Sequence, residues 1–319
     1  MDRRYLALGA VTAGWGTIPV LAGWSQLPAA IIVAMRLWSG AACLGLVLLV
    51  QRRRAHHLRL APTGGEPTSG SPPRLLSIAP VRCCLTAAVL GLHWLALFAA
   101  YERAPAGTVI LIVYLAPLGV AALAPRVLGE RLNRWTIVTL VGALAGLILL
   151  SAPAAHSAGA SGLALSLVAA VLFVALILLS KSLAPVYGGL RLAFMELAGA
   201  GILIIPVGLA IQWPRFGSSW YWVIVLGVVH TALGITLYLS LLARIPATHV
   251  GIMSYLEPVV VILAAWLWLG QRPTLATALG GGLVVAAGVV LAVTSLAPGG
   301  HELGQEAVLL PVDPAVPTR

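Results

Sequence analysis

Acidic residues are scarce in this chain: nine Asp and Glu among 319 residues, against nineteen Lys and Arg. Cysteine is scarcer still. Cys43 lies inside one apolar run and Cys83-Cys84 at the edge of another, a spacing that offers neither a disulfide framework nor a metal site and reads as packing. There is no HExxH and no GxSxG, and no pair of carboxylates is visible deep in the apolar runs, so hydrolytic and metal chemistry lack their residues. No phosphate-cradling glycine loop is present to use ATP. Long polar stretches are missing too, which leaves no room for a soluble catalytic domain. The excess of basic residues forms no patch on a soluble domain, and a nucleic-acid partner finds no support. Cofactors and metals are not expected.

What the chain has in quantity is apolar length. It is 60% hydrophobic and 9% charged, with a mean hydropathy of +1.01, far outside the range of soluble domains. A helix needs about 20 apolar residues to cross the hydrocarbon core. Ten such runs are read, at 5–22, 29–50, 78–100, 105–125, 135–151, 161–180, 192–212, 219–241, 247–269 and 275–295. Open sheets leave backbone groups unsatisfied in lipid, and the strict alternation of a barrel strand is absent. The expectation is an all-α integral membrane protein with ten transmembrane helices.

The chain also repeats itself. Pro105-Ala106 through Gly129-Glu130-Arg131 aligns without a gap to Pro246-Ala247 through Gly270-Gln271-Arg272. The offset, 246 − 105 = 141, brings Tyr114 onto Tyr255, Pro117 onto Pro258 and Gly129 onto Gly270. Apolar composition alone does not register tyrosines, prolines and glycines in this way, so the chain reads as a tandem duplication. Five runs per copy is an odd number, and the second copy then enters the membrane from the opposite face. Two inverted five-helix repeats are the arrangement of many secondary transporters. The division expected is 1–151 for the first repeat and 152–296 for the second.

Orientation follows from Lys and Arg in the loops. With the N-terminus inside, the inner segments carry fourteen, from Arg3 and Arg4 through Arg52, Arg53 and Arg54 to Arg244; the outer ones carry Arg103, Arg215 and Arg272 alone. Both termini are therefore expected in the cytoplasm, in a multi-pass protein of the plasma (inner) membrane. Arg3-Arg4 before an apolar run has the look of a secretory signal, but nine further runs and no convincing cleavage site make it the first helix. The segment 51–77, with its basic cluster and its Gly and Pro, reads as a disordered linker that fixes topology or touches anionic lipid, and 297–319 as a disordered cytoplasmic tail.

These residues resemble a known family. Pro105-Ala106 leading to Tyr114-Leu115-Ala116-Pro117 and Leu128-Gly129-Glu130-Arg131 is similar to the fourth helix of the EamA domain in the drug/metabolite transporter superfamily. Ser254-Tyr255-Leu256-Glu257-Pro258 with Leu269-Gly270 resembles its counterpart in a second domain. Trp15-Gly16 and Arg36 fit the opening helices, and the resemblance extends over about residues 5–296. It departs at Gln271, where the family usually repeats the Glu of position 130. The resemblance implies secondary transport of small metabolites, commonly export of amino acids or related compounds, driven by a proton gradient or by cargo exchange.

Several residues are candidates for the pathway. An ionisable group at bilayer depth costs about 2.5–3.5 kcal/mol on insertion scales and marks a cavity or a partner. Glu257 sits mid-span beside Pro258, which frees a carbonyl near Ser254. It could bind a cation, a proton or an amine, or only hydrogen-bond across to another helix. Tyr114 and Tyr255 are repeat mates suited to line a midplane cavity or to pack between helices. His93 and His230, at nearly equivalent positions, are proton-relay candidates or satisfied intramembrane histidines. Trp15 walls a cavity or packs. Arg36 either grips a substrate carboxylate or clamps helices. Lys181 and Glu196 are expected to pair at the cytoplasmic edge, and Pro117 and Pro258 to break their helices. Gly142 and Gly146 allow close helix approach, either within the chain or in a homodimer. The small-molecule transporter reading stands against one alternative, a membrane-embedded enzyme or scaffold acting on lipid-linked substrates.

Overall fold

The computed structural model describes residues 2–59, 79–104, 106–151, 159–270 and 272–294, and among them no strand occurs. Fifteen α-helices and one π-helix account for nearly all of the described residues. In order they are α1 (Arg3–Trp15), α2 (Ile18–Ser25), α3 (Ala29–Arg59), α4 (Ala79–Tyr101), α5 (Ala106–Val113), α6 (Ala116–Val127), α7 (Arg134–Ser151) and α8 (Ala160–Tyr187). Then follow α9 (Gly189–Leu203), α10 (Ile205–Ala210), α11 (Ser219–Val225), the π-helix (Leu226–Leu233), α12 (Gly234–Leu242), α13 (Ala247–Ser254), α14 (Leu256–Leu269) and α15 (Leu275–Thr294).

Among the described residues, eight helical segments are long and apolar enough to cross a membrane. Several are composites of two short helices meeting at a break. α1 and α2 meet at Gly16-Thr17 ahead of Pro19, and α5 and α6 at Tyr114-Leu115 ahead of Pro117. α13 and α14 meet at Tyr255 ahead of Pro258. The cause is local. Proline has no N–H for the helix ladder and its ring crowds the carbonyl one turn back, so it is best accommodated in the first turn of a new helix. Both helix breaks expected from Pro117 and Pro258 are present.

Two of the ten expected runs fall short of a span. The run at 135–151 is a shorter apolar helix, Arg134–Leu149. The run at 192–212 is divided at Ile204 into α9 and α10, because Pro206 starts a new helix. A further correction concerns the linker. Helix α3 does not end at 50 but continues to Arg59, and the exposed Arg52, Arg53 and Arg54 lie on it. Arginine is a good helix former and the first breaker comes only at Pro62, so nothing local stops the helix earlier. The rest of the linker and the tail lie outside the described residues.

Glycine recurs at the repeat positions for a backbone reason. Gly129 and Gly270 have φ of 69° and 70° at the ends of their helices, a left-handed conformation that terminates a helix and that a side chain would oppose.

Helices α7 and α15 form the tightest pair, α4 packs against α8 and α9, and α6 lies on α13. The α7–α15 contact explains Gly146 of α7. A Cβ added at Gly146 would stand 2.7 Å from the Gly280 carbonyl oxygen and 2.8 Å from Val284 Cγ2. Gly146 therefore serves packing inside the chain. Replacing it by valine should destabilise the protein by about 1–3 kcal/mol, as overpacking does; a lower melting temperature in detergent, read by intrinsic fluorescence, is the expected result.

Candidate functional site

The helix breaks matter because they surround a cavity of about 410 Å³. Its walls are mainly apolar and aromatic, among them Trp15, Trp94, Phe98 and Phe173. Into this surface are set Arg36 from α3, His93 from α4, Tyr114 from the α5–α6 break, Ser180 from α8, Glu196 from α9, Tyr238 from α12 and Glu257 from α14. A cavity of this size with few polar groups has the character of a small-molecule site.

Arg36 is 6% exposed. Its Nε donates to Thr231 Oγ1 at 3.1 Å, and the guanidinium carbon stands 4.4 Å from the centre of the Trp94 ring. The partner expected from sequence was a carboxylate or backbone oxygens; the structure supplies a hydroxyl and an aromatic face instead. Glu257 lies in the first turn of α14 and lines the same cavity as Tyr114. Arg36 and Glu257 feel each other's charge across the cavity, yet no ion pair joins them; the pairs among the described residues are Arg4–Asp2 and Arg103–Glu102.

The two histidines separate. His93 Nδ1 donates to the Ala169 carbonyl at 2.8 Å, its ring stacks on Phe173, and it lines the cavity. His230 sits in the π-helix outside the cavity wall, where its Nε2 meets Thr17 Oγ1 at 2.9 Å. Its carbonyl accepts from Trp15 Nε1 at 2.8 Å, and Trp15 in turn packs on Tyr238. The tyrosines separate too. Tyr114 faces the cavity, whereas Tyr255 is fully buried behind it, its ring centre 6.0 Å from that of Tyr114.

Glu196 and Lys181 form no pair, contrary to expectation. Lys181 Nζ donates to the carbonyls of Leu242 and Ile245 at 2.8 and 2.7 Å, and Glu196 Oε1 accepts from Ser180 Oγ at 2.7 Å. Glu196 thus joins Glu257 on one cavity, although sequence reasoning saw no paired intramembrane carboxylates. Adjacency of Ser180 and Lys181 hid this. Successive residues on a helix point about 100° apart, so Ser180 faces inward where Lys181 turns to the neighbouring α12–α13 connection. Tyr238, Trp94 and Thr231 were likewise missed; nothing in an apolar run marks the face that carries them.

The cavity extends toward the end of the bundle that holds Leu27, Ala29, Phe98 and Tyr101. Polar contacts tie the other end. The Glu130 carboxylate accepts from the backbone N–H groups of Ala247 and Thr248 at 2.6 and 3.3 Å, capping α13. His249 bridges the Tyr5 hydroxyl, 2.6 Å from Nδ1, and the Thr136 hydroxyl, 3.1 Å from Nε2. A carboxylate at a helix N-terminus satisfies orphan donors and complements the dipole.

These features define a multi-pass helical membrane protein with a polar-studded central cavity. The EamA-like transporter family model matches residues 4–152 and again 160–294. The chain belongs to this family and is a transporter of the drug/metabolite transporter superfamily. An uncharacterised transporter of Archaeoglobus fulgidus is 28% identical over 194 residues, which are 61% of this chain and 69% of that protein. A probable terminal-alkyne amino-acid exporter of Streptantibioticus cattleyicolor is 28% identical over 193 residues, 59% of this chain and 64% of that one. The fold is also that of a protein of known crystal structure, 20% identical, with a TM-score of 0.72 over 92% of this chain and 98% of the other.

The Glu130 contact is testable on its own. Glu130→Ala should lower stability by about 1–2 kcal/mol, the usual cost of a lost helix cap, and Glu130→Gln by less, because its amide oxygen still accepts. Thermal unfolding of the two variants beside wild type measures both.

Proposed function

We propose that this transporter is a secondary active exporter of small zwitterionic metabolites, amino acids or close relatives, with Arg36 and Glu257 as the two ends of the cargo site. The carrying observation is that Arg36 and Glu257 face one cavity without pairing, Arg36 held by Thr231 and Trp94 and Glu257 on the wall it shares with Tyr114. A buried charge is costly unless answered. A cargo carboxylate at Arg36 and a cargo ammonium at Glu257 answer both at once, and the aromatic walls receive an apolar side chain. The amino-acid exporter among the relatives agrees with this class of cargo.

The transport cycle is alternating access in a ten-span protein of two inverted repeats, 1–151 and 152–296. Support comes from the matching proline breaks, from the paired left-handed glycines at 129 and 270, and from Tyr114 meeting its repeat mate Tyr255. With both termini in the cytoplasm of a plasma-membrane protein, the cavity of this structure faces outward. The contacts of Glu130, Lys181 and His249 then form the inner closure, which must part when the cavity turns to the cytoplasm. Because one copy offers Glu257 and the other Ala116, the chemistry of the site is one-sided in an otherwise repeated frame.

Cells overexpressing the wild-type chain should accumulate one or a few amino-acid-like compounds outside, read by mass spectrometry of the medium. Arg36→Gln and Glu257→Gln, at equal membrane level, should each cut that export about tenfold or more, since removing one partner of a buried charge contact costs about 2–5 kcal/mol. An unchanged medium, or unchanged export by both variants, would overturn the assignment.

A further inference from the structure

Beside Arg36 and Glu257, which the cargo reading uses, a third ionisable group lines the cavity. Glu196 is 2% exposed and lies on the cavity wall midway along α9. Its one hydrogen-bond partner is a neutral donor, Ser180 Oγ on Oε1. No cation stands within ion-pair distance of it among the described residues. No element packed against α9 supplies one. α3 brings Arg36, held by Thr231 and Trp94; α8 brings Lys181, turned to two carbonyls; α4 brings His93, bound to the Ala169 carbonyl. Also on α4, Cys83 lies near enough to feel the Glu196 charge, α12 brings Tyr238, and α10 has no titratable group. On α9 itself Arg191 is exposed.

We propose that Glu196 is the proton-carrying group of this transporter, distinct from the cargo-binding pair. The inference rests on the reading of Arg36 and Glu257 as the cargo site. An ionised Glu196, 2% exposed, would be a buried negative charge with no cation beside it. A neutral carboxyl has no such cost: Ser180 donates to Oε1, and Oε2 carries the proton. Proton and cargo then compete on the carboxylate side of the cavity. The cargo is neutral overall, but its ammonium end lies at Glu257, where Tyr238 stands near both carboxylates; there it favours ionised Glu196, whose proton leaves for cytoplasmic water. After cargo is released outside, Glu196 takes a proton from the external solution. One proton enters for each cargo that leaves, and the number of charges on the protein is restored.

Two measurements test this, the first independent of any cargo. In infrared spectra of purified protein in lipid, a protonated-carboxyl C=O band should disappear as pH is raised. It should be missing from Glu196→Gln, present in Glu257→Gln, and restored in shifted form by Glu196→Asp, which keeps the acid and so guards against misfolding. A titrating band that survives in Glu196→Gln, or no titrating band in wild type, overturns the proposal. The second uses proteoliposomes loaded with an equimolar mixture of the proteinogenic amino acids. A proton gradient, acidic outside, should speed wild-type efflux several-fold and leave Glu196→Gln unchanged, while exchange across equal pH persists in that variant. Gradient-driven efflux by Glu196→Gln overturns the proposal. If no amino acid moves with wild type, the cargo reading fails and the infrared titration still decides Glu196.

Discussion

Hydrocarbon offers no hydrogen bonds, and nearly every feature of this protein answers that constraint. The backbone is helical because a helix satisfies its own N–H and C=O groups. Where the ladder is interrupted, something else in the chain takes over. Glu130 accepts from the first N–H groups of α13, and Lys181 donates to the carbonyls that close α12 and the connection after it. Hydroxyls inside the helices turn back on their own turns, as Thr139 does to the Trp135 carbonyl and Ser254 to that of Val250. Such bonds satisfy the hydroxyl without a partner helix and ease local bending.

The same constraint makes the cavity informative. A chain with so few ionisable groups places three of them on one small surface, at a depth where each needs a partner. Arg36 meets an aromatic face and a hydroxyl, and Glu196 a serine, all neutral groups, while Glu257 shares its wall with Tyr114. Neutral partners hold a polar group in position without cancelling a charge. In the proposed cycle that leaves the site open to something that comes and goes.

Duplication supplies the frame and divergence the chemistry. Proline breaks and left-handed glycines recur at corresponding places because they are backbone devices, needed wherever that helix must stop or bend. The polar lining of the cavity does not recur. Tyr114 faces the cavity while Tyr255 is sealed behind it, and Glu257 has Ala116 as its mate. The π-helix is also confined to one place. Its wider turn lets the His230 carbonyl receive Trp15 and the ring reach Thr17, which fixes the wall of the cavity from behind.

The amino-acid sequence by itself determined the helical membrane class, the family, the repeat and its helix breaks. Each of these rests on composition or on local backbone chemistry, which a short stretch of chain carries within itself. It also singled out Arg36, Glu257, Tyr114, His93 and Trp15, since a polar or aromatic group in a membrane run stands out by its cost. Only the tertiary structure decided that Glu196 faces the cavity and Lys181 turns away, that His230 and Tyr255 stand outside it, and that Tyr238 and Trp94 complete it. In water a helix shows its inner face by its apolar stripe. In a membrane the lipid side and the protein side are both apolar, so the stripe vanishes, and which face turns inward is settled by contacts between residues far apart in the chain.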